Sequence, residues 1–337
     1  MSLPELFKNR LSIPVVAAPM FLASGPELVA ACCKAGVVGT FPALNQRSTE
    51  GLDQWLTFIA ESLAAYEKDS GLLAAPYGVN LVVHKTNPRL EEDLAMIVKH
   101  RVPLVITSLG AASEVVDQIH AYGGLVFHDV VNVRHAKKAA GVGVDGLIAV
   151  SAGAGGHAGD WNPFALVSEI RQFFDKTLLL SGCLSTGKDV AAAQMMGADL
   201  AYMGTRFNGT AESRVESDYK SMLTEASAGD IVYTPAISGV PASFIRQSIE
   251  SAGLDPRNLT PAAHIDFGAE LMGDEEDDSS AQVSQEKKAW RDIWSAGQGI
   301  GSINDIPTTQ ALVERMIVEY QQAHQSQTEK QREHCEA

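Results

Sequence analysis

The chain has 337 residues, 45 % of them hydrophobic and 20 % charged, which suits a soluble globular protein built as one barrel with an insertion or as two ordinary domains. A formal net charge of −15 argues against nucleic acid and anionic membrane as partners. No run approaches 18 apolar residues, residues 1–10 lack an apolar leader, and Cys32, Cys33, Cys183 and Cys335 form no C-x-x-C pair. A membrane span, a signal peptide, zinc and an iron–sulfur cluster are therefore not signalled, and a reduced, cytoplasmic setting is expected.

In chain order the sequence predicts eight strand–helix units. Residues 13–18 form the first strand, ending at Pro19-Met20, with a helix over 26–34 stopped by Gly36. Residues 37–41 form the second, and the helix over 50–68 behind it sets Leu52, Trp55, Leu56, Ile59 and Leu63 at core spacing. The third to sixth strands are 77–82, 103–107, 124–128 and 146–150, followed by helices over 90–100, 112–122, 133–140 and 164–174. Residues 178–182, a loop and a helix over 188–197 make the seventh unit, and 200–206 the eighth strand. Short apolar runs with little alternation are the mark of strands buried on both faces. Eight such units in succession favour a (β/α)8 TIM barrel over an open doubly wound sheet.

After Phe207 the pattern changes. Residues 209–288 are richer in charge, Ser and Pro and read as a smaller, partly helical inserted domain. It would lie between a barrel of residues 1–208 and a barrel-closing segment over 289–337. Binding sites favour domain junctions, so the insertion is expected to cover the barrel mouth as a lid. Its acidic run, Asp274 to Asp278, reads as a solvated loop and not a metal site. Residues 308–325 read as a closing helix, and the polar stretch over 326–337 as frayed.

A parallel barrel binds ligands at the C-terminal ends of its strands. Two neighbouring ends, Ser181-Gly182 and Gly204-Thr205, combine glycine with a hydroxyl. With the partial positive charge of a helix N-terminus they make a phosphate cradle. Gly182 to Asp189 nearly matches a nucleoside-triphosphate loop, but Asp189 stands where a Mg²⁺-holding Ser or Thr is required. Gly141 to Gly146 has the spacing of a dinucleotide fingerprint but follows a helix and precedes a strand, the reverse of the required context.

The other strand ends are Ala18-Pro19-Met20, Asn80, Thr107, His128-Asp129 and the loop from Ser151 to Asp160. In that loop Gly153, Gly155, Gly156 and Gly159 allow close approach to a flat ligand. His157 stands in their midst, and its place at a strand end makes it the candidate catalytic residue. His84, His128 and His135 lack that setting and read as structural. Cys183, with no base in view, reads as a small packing residue.

Together these motifs resemble the nitronate monooxygenases, formerly called 2-nitropropane dioxygenases, which are FMN-dependent (β/α)8-barrel enzymes. The resemblance is carried by Pro14 to Met20 with its Ala-Pro-Met end, Tyr77-Gly78-Val79-Asn80, Gly155-Gly156-His157-Ala158-Gly159, Ser181-Gly182, Met203-Gly204-Thr205-Arg206-Phe207 and Ser295-Ala296-Gly297-Gln298. These follow the family's order along nearly the whole chain. The resemblance implies that His157 is catalytic, that the flavin phosphate lies against Ser181-Gly182 and Gly204-Thr205, and that Asn80 contacts the flavin. Matched by position, Ala18, Pro19, Met20, Asp129, Gly155, Gly156, Gly159, Cys183, Met203 and Gln298 complete the implied FMN site. Two departures stand out. Many relatives have Gln-Gly-Gly-Met where this chain has Ala17-Ala18-Pro19-Met20, and some have a lysine near the flavin where this chain has Asp129. A reduced flavin and a nitronate are both anionic, so an ionised Asp129 would repel both unless paired or turned away.

What the resemblance implies is FMN-dependent oxidation of alkyl nitronates by O₂. His157 would hydrogen-bond the nitronate, or act as base toward a neutral nitroalkane with an unperturbed pKa near 6.5. The alternative is an FMN-dependent NAD(P)H reductase of the quinone-reductase or enoyl-ACP-reductase type, which shares fold, cofactor and much of the motif set. A non-catalytic FMN-binding protein is a third reading. A barrel dehydrogenase of purine nucleotides is set aside because residues 151–160 lack the catalytic Cys it needs. The expected partners are a small-molecule substrate and O₂, or NAD(P)H in the alternative. The oligomeric state is open.

Overall fold

A computed structural model describes residues 3–110, 113–259 and 290–336. The acidic run at 274–278 lies outside them. The barrel strands are β1 (Val15–Ala17), β2 (Val38–Pro42), β3 (Tyr77–Val82), β4 (Leu104–Ser108), β5 (Leu125–Val130) and β6 (Gly146–Val150). A two-residue strand, β7 (Gly156–His157), intervenes before β8 (Thr177–Ser181) and β9 (Leu200–Met203). All eight barrel strands are parallel, in the order β1-β2-β3-β4-β5-β6-β8-β9, and the barrel closes where Val16 of β1 pairs with Tyr202 of β9. These are the eight strands that the doubly buried apolar runs predict.

The helices between them are α1 (Pro26–Lys34), α2 (Thr49–Ser70), α3 (Leu90–Lys99), α4 (Ser113–His120), α5 (Val133–Gly141), α6 (Pro163–Arg171) and α7 (Gly187–Met195). Local chemistry sets their ends. Ser48 accepts from the Gly51 N–H to start α2, Asn132 from the His135 N–H to start α5, and Thr186 with Asp189 forms a capping box on α7. Alternation along the strands divides the core in two. Val16, Val38, Leu104, Ile106, Phe127, Ile148, Leu179 and Leu200 fill the barrel interior, with Phe7 against Phe127 at 6.0 Å. The opposite faces of the strands pack beneath the helices.

Beyond β9 come α8 (Thr205–Asn208), α9 (Ser217–Glu225), β10 (Ile231–Thr234), β11 (Ala242–Ile245), α10 (Arg246–Ser251) and α11 (Thr309–Glu336). β11 pairs antiparallel with β10 on one side and with β7 on the other, Ala242 opposite His157 and Ser243 opposite Gly156. The segment after β9 is thus sheet as well as helix, which the sequence reading does not foresee. α11 packs on α7 so closely that a Cβ at Gly187 would run into the Met316 carbonyl. It continues as helix to residue 336, past the expected end at 325. Its last turns are rich in Gln, Glu, Lys and Arg, which propagate a helix already started on a packed surface. No helix of the described residues is long and apolar enough to cross a membrane.

Candidate active site

The strand ends open into a cavity of about 840 Å³, a volume within the range of small-molecule sites. His157 and every residue of the implied FMN site line it except Gln298, while Thr107 and Ser151 of the expected strand ends do not. Gln298 stands behind the wall: its N–H donates to the Gly153 carbonyl at 2.8 Å, and its Oε1 lies 3.9 Å from Cys183 Sγ. The cavity is completed by Tyr219, Tyr233, Trp290 and Ser295 from beyond β9.

His157 is held by backbone pairing on β7 and presents its ring edge-on to Trp290, with centroids 5.2 Å apart. Two features fix its loop. Gly156 has φ +69°, a left-handed turn that favours glycine. Its N–H donates to Ser295 Oγ at 2.7 Å, and that hydroxyl donates to the Ser243 carbonyl at 2.7 Å. One serine thus ties together three segments far apart in sequence. Burial pushes the His157 imidazole down to about 4, so it is neutral at pH 7. This corrects the expectation of a base poised near 6.5: the ring is a hydrogen-bonding group at neutral pH and a weak base.

Asp129 faces inward from β5. Its Oδ2 accepts from Ser108 Oγ at 2.6 Å, and Ser108 Oγ accepts from Asn80 Nδ2 at 2.7 Å. Its Oδ1 is buried without a hydrogen-bond partner among the described residues. Burial lifts the carboxyl to about 6, against the lowering effect of the Ser108 hydrogen bond. His128, the next residue back, turns outward, where Nδ1 meets Thr107 Oγ1 at 2.7 Å. It is buried, and desolvation holds it at about 4.

At the other end of the cavity Gly182 (φ +127°) and Cys183 (φ +58°) turn the chain sharply after β8. Cys183 sits near the Ala152 carbonyl and Gln298, and burial, reinforced by Asp189, raises its pKa. That keeps it a thiol, and it is exposed at the cavity wall, not packed in a core as the sequence reading expects. The N-terminus of α7 is not open to a ligand. Asp189 accepts from the Ser185 and Thr186 N–H groups at 2.8 Å each, and Glu319 of α11 accepts from Gly187 N–H at 2.8 Å. The expected helix contribution to the phosphate cradle therefore does not come from α7. The other helix start at the cavity is the first turn of α8, which begins at Gly204-Thr205 with no side-chain cap. A short extra helix after the last strand is a recurrent phosphate seat in this fold.

Ser108, Tyr202, Trp290 and Ser295 are missed as site residues by the sequence reading. Ser108 and Tyr202 carried a usable signal, since each continues the inward alternation of its strand. Trp290 had none, because non-local packing brings it there; Ser295 stands in the Ser295-Ala296-Gly297-Gln298 motif but was not assigned to the site.

A parallel barrel with a cavity at its strand C-termini, lined by glycines, hydroxyls and a few other polar side chains, is the architecture of a barrel enzyme with its site at the usual face. A family profile described as nitronate monooxygenase matches residues 75–319, well over half of the chain. The chain belongs to the nitronate monooxygenase family. It is 26 % identical over 292 residues to a nitronate monooxygenase of Paraburkholderia phytofirmans, covering 74 % of this chain and 78 % of that protein. It is 25 % identical over 338 residues to (3aS,4S,5R,7aS)-5-hydroxy-7a-methyl-1-oxo-octahydro-1H-indene-4-carboxyl-CoA dehydrogenase of Rhodococcus jostii, covering 91 % and 92 %. In fold it resembles nitroalkane oxidase from Streptomyces ansochromogenes, with a TM-score of 0.75 at 23 % identity over 96 % and 99 % of the two chains.

Proposed function

We propose that the protein uses FMN and O₂ to oxidise alkyl nitronates to a carbonyl compound and nitrite. When bound, the flavin supplies the ring that takes electrons from the substrate and passes them to oxygen. The residues present fit that group. Gly182-Cys183 and Gly204-Thr205 offer backbone N–H groups and a hydroxyl to one terminal phosphate. Asn80, Ser108 and the unpartnered Asp129 Oδ1 offer polar contacts to a ring edge, and Pro19 and Met20 an apolar face.

The observation that carries the reading is the neutral imidazole of His157, set in the cavity on β7 and packed against Trp290. A neutral imidazole donates one N–H to an anionic oxygen without adding a charge that must be desolvated. His157 would hold the nitronate by that bond. The residues from beyond β9 would close over it as a lid and limit water at the reacting carbon.

Two measurements test this. Acid treatment of the yellow protein should release FMN, since the cradle at Gly182-Cys183 and Gly204-Thr205 suits one terminal phosphate; FAD would contradict it. Aerobic turnover of a preformed alkyl nitronate should consume O₂ and release nitrite; no turnover would sink the substrate assignment.

A second reading, oxidation of a coenzyme A thioester, is favoured by the near end-to-end match to the Rhodococcus dehydrogenase. His135 and Lys138 of α5 border the cavity and could receive phosphate groups. Flavin bleaching by an alicyclic acyl-CoA, with none by nitronate, would move the assignment there.

A further inference from the structure

Asp129 is a carboxyl group with half of its acceptor capacity unused inside the cavity. It lies two residues beyond Phe127 on the same inward face of β5. Oδ2 is fixed by the Ser108–Asn80 chain, while Oδ1 is buried and receives no hydrogen bond from a described residue. Both supporting groups are neutral, so they orient the carboxyl without cancelling its charge. Tyr202 of β9 feels Asp129, its phenol pushed up by burial and then by that carboxylate. His157 comes from β7, and His128 of the same strand faces Thr107. His135 and Lys138 border the cavity from α5, and Asp160 from the loop after β7. Among the described residues none forms an ion pair with Asp129.

We propose that Asp129 is a proton acceptor coupled to anion binding: when a planar monoanion enters the cavity, the carboxylate takes one proton from solvent. No electrons move in this step. A fixed negative charge becomes an O–H donor, so the site admits an anion without holding two like charges. The physical basis is that of two anionic groups sharing one buried site, where one of them is held protonated. Burial, even against the Ser108 hydrogen bond, brings Asp129 to about 6, so a second negative charge nearby is enough to carry it across neutrality. The inference rests on the nitronate reading only in taking the ligand to be a monoanion.

The test uses the flavin-loaded protein and propionate, an unreactive monoanion with a planar two-oxygen head. Binding is followed by flavin absorbance and by calorimetry from about pH 5 to about pH 9. The dissociation constant should be constant below about pH 6 and rise about tenfold per pH unit above it, with uptake approaching one proton per propionate. Asp129→Asn keeps an acceptor for Ser108 and should abolish both the slope and the proton uptake. His157→Asn should keep the slope. A flat wild-type profile, a slope surviving in Asp129→Asn, a slope lost in His157→Asn, or no propionate binding at the acid end would each overturn the proposal. Propionate binding needs no turnover. Absence of nitronate oxidation would therefore count against the function alone, and flat binding in an active enzyme against this linkage alone.

Discussion

His157→Asn should lower turnover of a nitronate ten- to hundred-fold while leaving the flavin bound. The ring donates to a charged oxygen in a partly closed cavity, and such a bond contributes about 1.5–3 kcal/mol, which is roughly one to two decades in rate. Flavin retention follows from the separation of parts. His157 rides on β7, whereas the phosphate end is built from the loops after β8 and β9. The low pKa of His157, about 4, adds a second expectation. Neutral nitroalkane should be a poor substrate of the wild type, because so weak a base removes a carbon-bound proton inefficiently. The variant's fold-loss should then be similar for both substrates. Steady-state kinetics on each, with flavin content from the visible spectrum, checks this. Unchanged turnover would make His157 a packing residue, and loss of flavin would assign it to the cofactor site.

Arg206→Met should destabilise the protein by about 3–5 kcal/mol, the largest stability effect expected of a single substitution near the site. Arg206 is 1 % exposed. Its guanidinium donates to the Gly209 carbonyl at 2.9 Å and the Asp305 carbonyl at 3.0 Å, and lies 3.4 Å from an Asp305 carboxylate oxygen. Asp305 is partly exposed and also held by Arg315 at 2.7 and 3.0 Å, so its charge survives the change. The cost comes from one buried and one partly buried carbonyl left without a donor, at about 1–3 kcal/mol each, together with imperfect packing. Arg206 joins α8 to the chain near Asp305, which leads back from Gly297 and Gly299 at the cavity wall. Its loss should therefore weaken flavin retention as well as stability. Thermal unfolding with and without added FMN would show a fall in Tm on the order of 5–10 °C, larger with FMN because the wild type gains more from it. An unchanged Tm would show that solvent reaches those carbonyls.

The barrel was legible because buried parallel strands leave short, continuous apolar runs, and all eight runs became strands. β7, β10 and β11 were not legible. They have two to four residues each and exist through pairing with one another. The cavity lining shows the same limit at single-residue scale. The sequence ended strand four at Thr107 and set Thr107 and His128-Asp129 at the mouth. The register pairs Thr107 with His128 side by side, turned away from the axis, and gives the inward places to Asp129, which the sequence included, and Ser108, which it did not. A step of one residue exchanges the faces, and only pairing with neighbours fixes it. The Thr-x-x-Asp spacing of Thr186 and Asp189 is a helix-cap pattern that the sequence reading did not use. The second carboxylate on that helix end, Glu319, lies 132 residues from Gly187, and nothing local announces it.

The central claim, that a nitronate itself delivers electrons to the bound flavin, is tested most directly by anaerobic mixing. The purified protein is mixed without oxygen with a preformed alkyl nitronate and, separately, with NADH and NADPH, while the flavin spectrum is recorded. The account predicts prompt loss of the oxidised flavin bands with nitronate and recovery on admitting O₂, with no comparable change from either nicotinamide. Rapid bleaching by NADH or NADPH and none by nitronate would contradict it and make the protein a reductase.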